Sequence, residues 1–320
     1  MSYPSDYIRR DGCVRCGRIS GVISSGRTNK IGRHLGTSRG LKGTLDTAIA
    51  LECETLQVFV SNPQGWAEAA VRPDGVTFAE GCRRAGISPV VAHAKYLINL
   101  ASTDPDQRDH SIHALAWELV AAGSVGAELV VVHSGSHGGD GEERGMSRLV
   151  DGILRTRELA DRLAGEGNRV AEVIVENSVG AGTQLCSTFE ALAEVTARAE
   201  ARACVDTAHL FVAGYDVSTP DGARDVGSHL AQTMDGRIAL VHLNDARNEL
   251  GSHRDGHRRI GEGSVPESSW GPFFESLPGV PVVMETPYGT PEEDAEQIRL
   301  VKELVGGVRP DRLPNGTARG

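Results

Sequence analysis

The 320-residue chain is predicted to fold as a single α/β domain, a (β/α)8 barrel, on two observations. From Ile31 onward, short apolar runs alternate with longer amphipathic stretches, and there are eight such runs. Six of them end abruptly in His, Asp or Glu, so metal-ligating side chains fall where buried strands would emerge at one face of a sheet.

The strand candidates are Ile31–Leu35, Leu56–Val60, Ser88–His93, Leu129–His133, Glu172–Glu176, Arg202–Asp206, Ile238–His242 and Pro281–Glu285. Between them, Leu41–Leu51, Ala67–Ala85, Asp106–Ala122, Ser147–Ala164, Thr188–Ala199 and Gly222–Met234 carry apolar residues three and four apart, as helices with one buried face do. Strands alternating with helices imply a parallel sheet with right-handed crossovers. An open doubly wound sheet would gather ligands at one switch point rather than from six strand ends. No glycine-rich dinucleotide or Walker fingerprint opens any of the helices, so a nucleotide cofactor is not indicated.

Residues 1–30 read as a polar, flexible extension outside the core, residues 31–307 as the catalytic barrel and residues 308–320 as a polar tail. Cys13 and Cys16 form a C-x-x-C with no second pair nearby, expected to belong to the extension rather than to a zinc knuckle. Cys53, Cys82, Cys186 and Cys204 are far apart and are expected as reduced thiols. With 39% hydrophobic and 24% charged residues, the composition is that of a globular protein with a sizeable core. There is no apolar run long enough to span a membrane and no secretory h-region, so a cytoplasmic location is expected. A net charge of −10 argues against a nucleic-acid coat protein, but not against a DNA enzyme whose carboxylates are offset by bound cations. Gly135–Gly145 reads as a mobile surface loop, and His110, His113, His137, His229 and His253 as surface or loop residues.

The candidate metal ligands start with the strand-end residues His93, His133, Glu176, Asp206, His242 and Glu285. Asp206 and His209 face one direction if the chain turns helical after Asp206. Asp255 and His257 alternate in a loop and can grip an ion together, with His209 as its third ligand. Glu176 can bridge two ions, as carboxylates do in two-metal phosphoryl-transfer sites. Imidazoles and carboxylates suit zinc, manganese or iron, and the census permits three metals.

From Ile31 to Pro287 the chain resembles the endonuclease IV family, zinc-dependent apurinic/apyrimidinic endonucleases within the xylose-isomerase-like TIM barrels. The residues that carry the resemblance are Ile31-Gly32-Arg33-His34, His93-Ala94-Lys95-Tyr96-Leu97-Ile98-Asn99-Leu100, Glu176-Asn177 and Val205-Asp206-Thr207-Ala208-His209. It continues through Ala213-Gly214-Tyr215-Asp216, His242-Leu243-Asn244-Asp245, Asp255-Gly256-His257, Ile260-Gly261-Glu262-Gly263 and Glu285-Thr286-Pro287. The resemblance implies three Zn2+ ions, with Mn2+ or Fe2+ an option at one or more positions. His93, His133 and Glu176 would hold the first. Glu176 would bridge to a second completed by Asp206, His242 and Glu285, and His209, Asp255 and His257 would hold the third.

The implied partner is duplex DNA containing abasic sites, cut 5′ of the lesion by a zinc-bridging hydroxide, in a monomeric protein with Glu176, Asp206 and Glu285 at the catalytic centre. Tyr96 and Leu97 match the pair that the family inserts into DNA, while Gln64 stands where the family has arginine. Gly256, Ser134, Arg33 and Arg39 also depart from the family pattern, and are expected where substrate binds. Those departures motivate a second reading, a metallohydrolase acting on a small phosphoester in specialised metabolism. A sugar isomerase or epimerase would need fewer ligands, and a metal-free binding protein none.

Overall fold

The computed structural model describes residues 28–305; Cys13, Cys16 and the expected tail lie outside the described residues, as does the expected extension up to residue 27. The strands in chain order are β1 (Ile31–Leu35), β2 (Thr55–Val58), β3 (Val90–His93), β4 (Leu129–His133), β5 (Glu172–Glu176), β6 (Arg202–Asp206), β7 (Ile238–His242), β8 (Asp245–Ala246), β9 (His257–Arg258) and β10 (Val282–Met284). All but β8 and β9 join, every pair parallel, into a closed barrel of order β1-β10-β7-β6-β5-β4-β3-β2. The barrel predicted from the alternation is therefore the fold. β8 and β9 form a small antiparallel ribbon above the barrel mouth.

β1, β4, β5, β6 and β7 begin and end where the apolar runs do. β3 and β10 start later than expected because Pro89 and Pro281 carry no N–H to give to a ladder.

The helices are α1 (Gly40–Ala50), α2 (Gly75–Arg84), α3 (Pro105–Ser124), α4 (Glu142–Ala164), α5 (Phe189–Arg198), α6 (Thr207–Ala213), α7 (Pro220–Met234), α8 (Trp270–Phe274) and α9 (Pro291–Val305). The helix expected from Ala67 is shortened to α2 by Pro73, which disfavours helical backbone at the residue before it. α3 starts where Asp104 accepts from the Asp106 and Gln107 amides and Pro105 occupies the first turn. α9 was not among the expected helices, although Glu292, Glu293 and Asp294 in its first turn and buried Ile298, Val301 and Val305 give it the signature of one. Gly135–Gly145, expected as a mobile loop, is tied down at His137 N–H to Thr183 O (2.9 Å), Ser136 N–H to Asn99 Oδ1 (3.1 Å) and Arg148 to Asp140 (2.7 Å).

Two apolar layers hold the barrel. One, between strands and helices, buries Leu115, Leu119, Leu149, Phe189, Trp270 and Phe273. The other fills the barrel interior with Val91, Leu129, Val131, Ile174, Cys204, Ala239, Leu240 and Val283. Cys53, Cys82, Cys186 and Cys204 are free and buried, as expected. No helix among the described residues is long and apolar enough to cross a membrane.

Gly32 sits where β1 pairs with both β10 and β2, and a Cβ there would collide with the Thr55 carbonyl. Gly32→Ala is expected to destabilise the barrel by about 1–3 kcal/mol, the usual range for overpacking, in a chemical denaturation experiment. An unchanged midpoint would show that the seam relaxes freely.

Candidate metal centre

Side chains on a strand alternate between its two faces. Val91, Val131, Ile174, Cys204, Leu240 and Val283 point into the barrel, so the residues two positions on, His93, His133, Glu176, Asp206, His242 and Glu285, form the next layer towards the mouth. The same period brings His34 from β1 and Gln57 from β2 into that layer. Its members lie deep: His93, Glu176, Asp206 and His242 are buried. Apolar side chains thus wall off the floor of a polar ring that opens only upward.

The ligand atoms gather in three overlapping groups, within each of which they lie no more than 4.8 Å apart: His93, His133 and Glu176; Glu176, Asp206, His242 and Glu285; and Asp206, His209 and His257. Asp255 stands beside the third, its Oδ1 3.4 Å from His209 Nε2 and 3.6 Å from His257 Nε2. Asp206 therefore joins the second group to the third, as Glu176 joins the first to the second.

The nitrogen–oxygen separations across these groups run from 3.2 to 3.6 Å. Charge-assisted hydrogen bonds are shorter than that. Two donors at ordinary zinc distances, subtending a tetrahedral angle, stand about 3.3–3.4 Å apart, so the spacing suits a shared cation. Glu176 Oε2 and His257 Nε2 are buried without a hydrogen-bond partner, which costs about 1–3 kcal/mol each unless something ligates them. The donor set fits divalent cations.

Hydrogen bonds behind the ligands fix how they face. His93 Nδ1 is 2.7 Å from the Ala94 carbonyl, His209 Nδ1 3.0 Å from the Asn177 carbonyl and His242 Nε2 2.8 Å from Gln57 Oε1. Each ring donates there and keeps its other nitrogen for the cluster. Gln57 also donates to Glu285 Oε1 (2.6 Å), and Asn244 donates to Asp206 Oδ2 (2.6 Å) while accepting from the Glu285 amide (2.9 Å). Asn177 accepts from the Asp206 amide at 2.7 Å. α6 begins directly after Asp206, whose Oδ1 caps it by accepting from the His209 amide (2.9 Å), so the i, i+3 pairing expected from the sequence forms.

Sequence reasoning assigned no role to Gln57, Asn177, Asn244 or His34. Gln57 was visible as a polar residue inside an apolar strand run, and the two asparagines as neighbours of ligands. His110, His113, His137, His229 and His253 join none of the ligand groups found among the described residues.

The electrostatics follow from crowding opposite charges in a buried site. Burial pushes the Glu176 carboxyl up, but His242, His93 and His133 outweigh it and hold the group well below the usual range. Burial opposes a charge on His209, yet Asp206, Asp255 and Glu176 raise it to about 10. His209 in turn lowers Asp255 to about 2. His133 goes the other way, down to about 4, because burial dominates.

A cavity of about 530 Å3 opens over His93, His133, Glu176, His209, Asp255, His257 and Glu285. Tyr96 is half exposed at its rim, its ring 5.5 Å from that of His93 and 5.8 Å from that of His133, with half-buried Leu97 following it. Gln64 is exposed on the loop after β2. Arg39 is exposed too, but lines a separate cavity with Asp46, Thr47 and Tyr288. Two expectations of substrate contact do not survive. Arg33 is 1% exposed, because its neighbour His34 takes the inward face of β1 and turns Arg33 outward beneath α9, against Asp294 (3.4 Å). Ser134 is 1% exposed, its hydroxyl given to the Leu185 carbonyl at 2.6 Å.

The profile of the family described as xylose isomerase-like TIM barrel matches residues 45–304. The "Probable endonuclease 4" of Natronomonas pharaonis is 32% identical over 281 residues, covering 86% of this chain and 98% of its own length. The chain belongs to the endonuclease IV family. Another member, the "Probable endonuclease 4" of Streptomyces coelicolor, is 35% identical over 290 residues, covering 86% of this chain and 95% of its own. The crystal structure of endonuclease IV from Thermus thermophilus superposes with a TM-score of 0.74 at 32% identity, over 86% of this chain and 98% of that one. The endonuclease IV fold thus carries here an inward ring able to hold metal.

Two outcomes are expected. Gln57→Ala removes the partner of both His242 and Glu285 and should lower metal affinity or activity about 10–100-fold, the usual effect of losing a group behind the ligands; unchanged metal retention under chelator competition would contradict it. His209 holds a proton at pH 7 in the cation-free protein, whereas a ligand nitrogen must be neutral. Zinc binding at pH 7 should therefore release protons, and its affinity should climb as pH rises towards about 10. Calorimetry in buffers of differing ionisation enthalpy reads the release; a heat independent of buffer would refute it.

Proposed function

We propose that this endonuclease IV member is a metal-dependent phosphodiesterase that cuts duplex DNA 5′ of abasic sites, leaving a 3′-hydroxyl and a 5′-deoxyribose phosphate. The observation that carries the reading is the chain of three ligand groups linked through two shared carboxylates, Glu176 and Asp206. One tetrahedral ion takes four ligands or fewer from protein, whereas phosphoryl transfer uses neighbouring ions to hold the attacking and leaving oxygens. His93, His133 and Glu176 would hold one ion, Glu176, Asp206, His242 and Glu285 a second, and His209, Asp255 and His257 a third, with zinc suited to the imidazole–carboxylate set. Bound there, the ions would lower the pKa of water towards ~7 and offset phosphate charge.

The chain's own groups supply the rest. Burial opposes the charge, but the surrounding imidazoles keep Glu176 and Glu285 ionised, so they accept and do not donate. Burial, with Glu285 and Glu176 nearby, pushes the Tyr96 hydroxyl up to about 12, so it stays protonated as a hydrogen-bond donor at the rim. Arg247, Arg254 and Arg258 are exposed around the loop carrying Asp255 and His257 and form no ion pair among the described residues. They would offer positive charge to phosphates from that loop in a protein whose net charge is −10. Tyr96, at the cavity rim, and Leu97 beside it would fill the gap left by an extruded nucleotide. Hydrolysis adds the oxygen of water to phosphorus, breaks the bond to the 3′-oxygen and leaves the proton on that oxygen.

The test is incision of a duplex bearing one abasic-site analogue by protein of measured metal content. Cleavage 5′ of the lesion is expected, with Glu176→Gln slowing turnover by more than about 100-fold, beyond what groups behind the ligands contribute. Metal-loaded protein that cleaves small phosphoesters but not this duplex would overturn the DNA reading in favour of a small-molecule substrate.

A further inference from the structure

Beside the metal cavity lies a lobe of about 330 Å3, lined by His34, Phe59, Tyr96, His257, Glu285 and Tyr288 among others. Tyr96 and Tyr288 are its open aromatic side chains, 52% and 59% exposed. Tyr288 follows the ligand Glu285 by three residues, and nothing in the ligand chemistry uses it.

Its ring is held from two directions. The hydroxyl donates to the His34 carbonyl at 2.9 Å, and the Arg33 guanidinium lies 4.6 Å from the ring centroid. Arg33 is itself fixed, donating to the carbonyls of Thr286 (2.9 Å) and Pro287 (3.2 Å) and pairing with Asp294. Because Arg33 is buried and Tyr288 is not, the cation covers one side of the ring, and the exposed ring borders both this lobe and the cavity that Arg39 lines. With its proton given to the His34 carbonyl, the hydroxyl has only acceptor capacity left; the larger open feature is a rigid π-face, which every nucleobase can use. A ring fixed in advance loses little freedom on stacking.

We propose that Tyr288 is a stacking platform for the nucleobase next to the incised phosphate, held in place by the buried Arg33. The proposal rests on the DNA reading above and deepens it. It also gives Arg33, misplaced at the substrate surface by sequence reasoning, a positioning role through Tyr288, and it supplies sequence-independent affinity in a chain with Gln64 where an arginine was expected.

The experiment uses the metal-loaded full chain and an abasic duplex with a methylphosphonate at the scissile linkage and 2-aminopurine beside the lesion. Tyr288→Ala and Tyr288→Leu are each expected to weaken binding about 5- to 150-fold, the range for losing one base stack, and to abolish the quenching of 2-aminopurine. Tyr288→Phe keeps the ring and should stay within about twofold of wild type. Incision of the ordinary abasic duplex by wild-type protein, with Tyr288→Ala matching it in affinity and quenching, would overturn the platform and leave the endonuclease reading standing. Wild-type protein that neither binds nor incises abasic DNA would overturn both.

Discussion

The structure turns on burying several carboxylates at the end of a barrel packed with hydrocarbon. Glu176 is 1% and Asp206 0% exposed, and a buried carboxylate is tolerated only when paired, hydrogen-bonded or bound to a cation. Imidazoles supply part of that compensation, and the asparagine and glutamine amides behind them supply more. Even so, Glu176 Oε2 is left without a partner. Stability and cation affinity thus meet in the same atoms, since the arrangement that is costly without an ion is the one that draws it.

The barrel is what makes such a cluster possible. Apolar residues one layer below exclude water from the floor, parallel strands deliver each ligand from a separate rigid element, and the loops above are free to differ. Arg247, Arg254 and Arg258 are exposed on and beside the loop that carries Asp255 and His257. Arg33 instead places its charge inside the protein, on Asp294 and the Tyr288 ring.

Much of this was legible in the amino-acid order. A run such as Leu129-Val-Val-Val-His133, short and β-branched, reads as a buried strand that stops at a polar residue, and similar runs lead to a ligand at β3, β5, β6, β7 and just after β10. Asp206 and His209 were legible because helix geometry links residues three apart. Less legible were the ends of β3 and β10, where a proline extends the apolar run without extending the hydrogen-bonded ladder.

The sequence by itself determined the barrel and the nature of its ligands, because strand period, helix period and side-chain chemistry are local properties. Tertiary structure alone decided which ligands meet. Asp206 reaches His257 at 3.5 Å, and Gln57 joins His242 to Glu285, across separations of more than fifty residues along the chain in the first case and far more in the second. It alone also decided which way Arg33 faces. That arginine and His34 are adjacent in the chain, and only closure of β1 against β10 and β2 assigns one to the metal ring and the other to the space beneath α9. Local periodicity tells which residues share a face, but the inside of a barrel is defined only once the barrel has closed.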